Sequence, residues 1–104
     1  MNIAKMMKQA QEMQKKMETT QAKLAEETVE ASVGGGKVTV VATGAGDVTS
    51  IKISPEVVDP EDVEMLEDLV LSGVKKAIEK GKGMAADELG KVTSGMGLPP
   101  GMGL

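Results

Sequence analysis

Ammonium and carboxylate groups make up nearly all the chemistry this chain offers. Its 12 basic residues are all Lys, its 16 acidic residues are Asp or Glu, and it has no His, Cys, Phe, Tyr or Trp. Gly34-Gly35-Gly36-Lys37 has the glycines and lysine of a phosphate-binding loop. That loop also needs a Gly where Ala31 stands and a Ser or Thr where Val38 stands. Gly44-Ala45-Gly46 opens like a dinucleotide fingerprint, but Thr49 occupies the third glycine position and a strand follows in place of a helix. Asp59, Glu61, Asp62 and Glu64 lack the Gly and the closing Glu of a calcium loop. Glu64, Glu67 and Asp68 share a helical face, as acid–base carboxylates would, yet no neighbour is present to position or perturb them.

What is missing narrows the function further. Without Cys there is no disulfide, thiolate zinc site or thiol nucleophile, and without His the usual general base and metal ligand are gone. No aromatic ring can stack on a single-stranded base, and no Arg fork can read guanine bidentately. The sequence therefore predicts no enzyme, no cofactor, no metal and no small-molecule substrate.

The lysines remain. Residues 1–25 hold Lys5, Lys8, Lys15, Lys16 and Lys23 against Glu12 and Glu18, a local balance of +3. Residues 55–70 carry seven acids and no base, and residues 71–83 return to +3 with Lys75, Lys76, Lys80 and Lys82 against Glu79. The formal net charge of −4 thus hides two basic segments behind one acidic block. Solvation of an outer helix face would explain the lysines without a partner, and helix-dipole complementarity would explain acids early and cations late in a second helix.

The elements that must position these groups are legible from periodicity. Ile3, Met6, Ala10, Met13, Met17, Thr20 and Leu24 recur at alternating steps of three and four, a heptad seam in a helix over residues 2–25. Such a helix is about 35 Å long, which is long for so short a chain. From residue 28 the period becomes two. Val29, Ala31 and Val33 predict one strand, Val38, Val40 and Ala42 a second, and Ile51 and Ile53 a third over Val48–Ile53. Gly34–Gly36 and Gly44–Asp47 supply the turns of an antiparallel meander. Asp59 is expected to cap the next helix, with Pro60 in its first position, Asp62 as the reciprocal cap, and Val58 and Val63 as a hydrophobic staple. Its apolar stripe is Val63, Leu66, Leu69, Val70, Val74, Ala77 and Ile78, weakened at Gly81 and Gly83 but able to continue over Met84–Val92.

The expected organisation is one α+β domain over residues 1–93, in the order α-β-β-β-α, followed by a flexible Gly/Pro-rich tail over 94–104. The apolar residues are aliphatic and many are Ala, so the core is small and self-association is expected to enlarge it. Met6, Met13, Met17 and Leu24 of the seam, with Leu66 and Val70, are the residues expected to pack or pair. No stretch is apolar enough for a membrane span and no secretory signal opens the chain, which predicts an intracellular location.

Three stretches in this order, Met7-KQAQEMQKKM, Ile51-KISPEVVD with Glu64-MLEDLV, and Ser94-GMGLPPG, resemble the bacterial YbaB/EbfC nucleoid-associated proteins over almost the whole chain. The resemblance implies a cytoplasmic homodimer with helices protruding like tweezers, which binds duplex DNA, coats or bends the nucleoid and influences expression. By the same resemblance, Lys5, Lys8, Lys15, Lys16, Lys23, Lys75, Lys76, Lys80 and Lys82 are the candidate DNA contacts. Lysine ammonium groups neutralise phosphates but carry no sequence information, so the binding expected is salt-sensitive and sequence-tolerant. Two rivals stand beside it. One is a protein-interaction module using the Met-rich seam and the tail; the other is a membrane-surface helix at residues 1–25, which lacks Trp or Phe anchors.

Overall fold

The computed structural model describes residues 2–95. With no Gly or Pro to interrupt it, the first segment forms α1, Ile3–Glu26, and the Asn2 side chain caps it by accepting the Lys5 N–H at 3.0 Å. The period-two segments form β1 (Thr28–Val33), β2 (Val38–Thr43) and β3 (Val48–Ile53) in one antiparallel sheet of order β1-β2-β3. The turns fall where the glycines are. Gly34, Gly35 and Gly36 have φ of 64, 68 and 87°, and Gly46 has 91°, a region L side chains enter at a cost.

Register fixes the faces. Val33, Val38 and Ile53 are cross-strand partners, as are Ala31, Val40 and Ile51, so these side chains share one face of the sheet. The opposite face carries Ser32, Thr39 and Lys52, and the Ser32 and Thr39 hydroxyls are 2.9 Å apart. A second helix, α2 (Val63–Gly95), covers the apolar face over β1 and β2 and barely reaches β3. Ala31, Val33, Val38, Val40, Ala42, Val57 and Ala77 form the buried cluster, with Leu66, Leu69, Val70 and Val74 packed against it half-buried.

The start of α2 differs from expectation. Asp62 is its N-cap, accepting the Met65 N–H at 3.2 Å, whereas Asp59 closes a preceding turn by accepting the Glu61 N–H at 2.9 Å. Both aspartates have the right chemistry. The Asp59 turn occupies Pro60 and Glu61, so the helix begins one turn later. Val58 and Val63 are both more than half exposed and form no buried staple.

Two close approaches explain how α2 seats and why it runs unbroken through glycine. A Cβ on Gly73 would lie 2.9 Å from Val40 Cγ2, and one on Gly81 would collide with the Thr43 carbonyl oxygen. At the same corner α1 arrives, with Leu24 packed on Gly44, whose added Cβ would be 2.8 Å from Leu24 Cδ2. Beyond that corner both helices leave the sheet and pack on each other. Met13, Met17 and Thr20 of α1 and Met84, Leu89 and Val92 of α2 are half-buried along this two-helix arm. The arm stretches the molecule to 71 × 22 × 16 Å. Ser94 and Gly95 end α2, and the rest of the expected tail lies outside the described residues.

Candidate nucleic-acid interface

All five lysines of α1 are exposed. At about 100° per residue, Lys5, Lys8, Lys15, Lys16 and Lys23 fall within an arc of roughly 100° on the side away from the seam. The seam turns the other face inward, and the burial along it is graded. Leu24 is 3% exposed, Met17 and Met13 are half-buried, and Met6 and Ile3 are 56% and 68% exposed. One helix therefore carries packing on one side and ammonium groups on the other, and among the described residues its N-terminal turns stand exposed. Lys23 shares its charge with Glu27 at 3.4 Å, an exposed pair that contributes little to stability.

The lysines of α2 are exposed too, but they are not one patch. Lys76 and Lys80 flank Ala31 and Ser32 on the β1 side. Lys75 and Lys82 flank Ile78 on the opposite side of the helix. Lys80 is partly committed, since its Nζ donates to the Glu30 carbonyl oxygen at 2.9 Å across the edge of β1. A lysine there also guards an edge strand against pairing with another chain. Three lysines that the charge count left aside are placed by the fold as well. Lys37 is ion-paired with Glu56, Lys91 with Glu88 at 3.3 Å, and Lys52 stands exposed on the outer face of the sheet.

The acidic block stays at the other end of α2. Glu64 sits in the first turn, where a carboxylate complements the helix dipole, and Asp62 and Asp59 serve as cap and turn. Of the three carboxylates that share a face by spacing, Glu64 and Asp68 stay together and Glu67 turns toward β3. Glu67 rims a cleft with Ile53, Leu66 and Leu71, while Glu64 and Asp68 lie beside Met65. Among the described residues no three acidic groups converge to hold a metal, and no helix is long and apolar enough to cross a membrane.

That cleft is the feature periodicity alone did not reveal. Its walls are Ile53 from β3 and Leu66, Val70, Leu71 and Val74 from α2. Leu66 and Val70 belong to the stripe expected to pack, but Leu71 lies outside it and is 53% exposed. The signal lies beside the expected stripe: at about 100° per residue Leu71 adjoins Ile78 at its border, and with it the apolar arc of α2 is roughly twice the ~100° of one packing face.

Fold and surface together define an α+β protein that holds out a lysine-faced helical arm. The fold is shared with the crystal structure of an uncharacterized protein from Helicobacter pylori, at a TM-score of 0.63 and 19% identity, over 75% of this chain and 90% of that one. The chain belongs to the YbaB/EbfC DNA-binding family, which it matches over residues 1–96. It is 55% identical over 101 residues to a nucleoid-associated protein of Acetivibrio thermocellus, covering 97% of this chain and 89% of that protein. A nucleoid-associated protein of Akkermansia muciniphila is 50% identical over 103 residues, covering 99% of each chain.

Proposed function

We propose that the chain binds duplex DNA as a homodimer, mainly through lysine–phosphate contacts, with little sequence preference. In this reading it acts on the nucleoid in the cytoplasm, changing the conformation or organisation of DNA and through that gene expression. It binds and does not catalyse. Its folding unit includes α2 to its end at Gly95. The observation that carries the reading is the face of five exposed lysines along α1, on an arm held away from the sheet, in a member of a DNA-binding family. A point-charge ammonium on a flexible stem suits phosphate and not base edges, which supports the low sequence preference. Two-fold symmetry would present two such arms to one duplex.

The test is affinity against salt on unrelated duplexes. Log affinity should fall by about 0.9 per log unit of salt for each phosphate neutralised, with similar slopes on every sequence. Reversing Lys8, Lys15 and Lys16 to Glu should abolish binding while the mass in solution is unchanged. A flat salt response, or no binding at low salt, would overturn the proposal.

A second reading rests on a different observation. Ile3, Met6 and Met7 are 68%, 56% and 58% exposed at the end of α1, an adaptable apolar surface that another protein could cover. Protein capture that survives nuclease, combined with failed DNA binding, would favour it.

A further inference from the structure

The two helices of the arm are unequal in length. Both leave the sheet at one corner, where Leu24 packs on Gly44 and Gly81 rests on Thr43 and Gly44. From there α2 runs ~21 Å to its end at Gly95, while α1 runs ~32 Å to Ile3, at ~1.5 Å per residue. Burial follows the same count. Met13 and Val92 are both half-buried near the end of α2, whereas Met6 and Ile3 beyond it are 56% and 68% exposed. The last ~10 Å of α1 therefore projects past its partner.

What projects is apolar on one side. At about 100° per residue, Ile3, Met6, Met7 and Ala10 share an arc of roughly 100°, which continues the seam that α2 covers nearer the sheet. Lys5 and Lys8 lie on the opposite side of the helix. The uncovered face thus points to where α2 would run if it were two turns longer. In the sequence Gly95 is followed by residues 96–104, MGLPPGMGL, which hold no charged or hydrogen-bonding side chain.

We propose that residues 96–104 dock in cis on the Ile3, Met6 and Met7 face, with Leu98 and Met102 supplying the apolar cover that α2 stops short of. Position, reach and chemistry favour this segment over an outside partner. It leaves α2 beside the uncovered face. Fully extended, it spans roughly 30 Å, about three times the uncovered length. It offers only Met, Leu, Pro and Gly to a face of Ile, Met and Ala that has no charge of its own. So short a tether also holds the segment at an effective concentration on the order of millimolar, against which a separate protein competes poorly. Docked there, it secures two helical turns that packing otherwise leaves free to fray, and it leaves Lys5 and Lys8 open on the far side.

The experiment places a nitroxide on Gly103→Cys, the sole thiol in a chain with no cysteine of its own. Amide NMR and hydrogen exchange are then read on the full chain, with and without Leu98→Ser and Met102→Ser together. All three sites lie beyond α2, so the changes leave the packed sheet untouched. The expected result is line broadening at residues 3–10 that falls in the serine pair, whose exchange over residues 6–10 is about tenfold faster, as uncovering one such side chain would give. No broadening at residues 3–10 overturns the docking. Broadening undiminished in the serine pair reports a tether's proximity alone and overturns the apolar contact, and exchange unchanged by the pair overturns the cover. Broadening seen only when label and isotope are on different molecules gives the face to a second copy. Protection of residues 6–10 that arises only when duplex DNA or another protein is added gives the face to that partner. Either of these last two outcomes overturns docking in cis.

Discussion

The two halves of α2 are built on opposite terms. From Val63 to Gly81 the helix lies against the sheet, and its glycines are dictated by contact: Gly73 lets it approach Val40, and Gly81 lets it rest on the Thr43 carbonyl. Beyond Gly81 it belongs to the arm, where an added Cβ on Gly83 or Gly90 would meet nothing within 4 Å. Glycine in a helix interior costs about 1 kcal/mol relative to Ala. In the first half that cost is offset by close packing that a larger residue would prevent. In the second half nothing in the structure explains it. A helix can therefore read as uniform in its hydrogen bonding and yet be anchored along one half only. The chemistry divides earlier, inside the anchored half, where Glu64, Glu67 and Asp68 give way to Lys75, Lys76 and Lys80.

The largest effect that tests this contrast is at its boundary. Gly81→Ala would drive a methyl group into a carbonyl that cannot retreat cheaply. Thr43 is held by its N–H donating to the Asp47 carbonyl at 2.8 Å and by its hydroxyl accepting the Ala45 and Asp47 N–H groups at 3.2 Å. Denaturant unfolding should show a loss of about 2–3 kcal/mol, the range of overpacking in a tight site. A loss under ~0.5 kcal/mol, the scale of an ordinary surface change, would mean that α2 does not rest on the sheet at this corner.

A smaller effect tests the start of the anchored half. Removing the Asp62 carboxylate with Asp62→Ala should cost about 1 kcal/mol as a lost N-cap. Asp59→Ala should cost less, since it gives up a turn contact ahead of the helix. Thermal midpoints of the two variants measured side by side decide between them. The reverse ranking would return the cap to Asp59.

That pair also marks where the sequence stopped being informative. Element order, both glycine turns and the inward face of each strand were legible, because alternation and positive-φ glycine are local constraints. Choosing between Asp59 and Asp62 was not, because both aspartates have the capping side chain and only the turn over Pro60–Glu61 separates them. Continuation of the helix through Gly81 depended on a carbonyl from another element. The candidate site divides in the same way. The lysine face of α1 follows from spacing on a single helix, whereas the separation of Lys76 and Lys80 from Lys75 and Lys82 depends on which flank of α2 meets β1. The cleft at Ile53 and Leu71 depends on a sideways offset between helix and sheet, a tertiary quantity that no periodicity in one segment encodes.

The smallest effect bears on the arm and has the opposite sign. Gly83→Ala and Gly90→Ala each add a methyl group to open space at a helical position. Alanine restricts the unfolded chain more than glycine does and adopts helical angles without strain, so each change should stabilise by about 0.5–1 kcal/mol. Far-UV circular dichroism should gain helicity at elevated temperature, and hydrogen exchange should slow over residues 82–95 while Val38–Thr43 stays as it was. Because the two sites touch nothing and are seven residues apart, their effects should add. If either substitution destabilises the protein, its glycine is held by a contact formed only in the assembled or DNA-bound state, and the two halves of α2 would then be anchored alike.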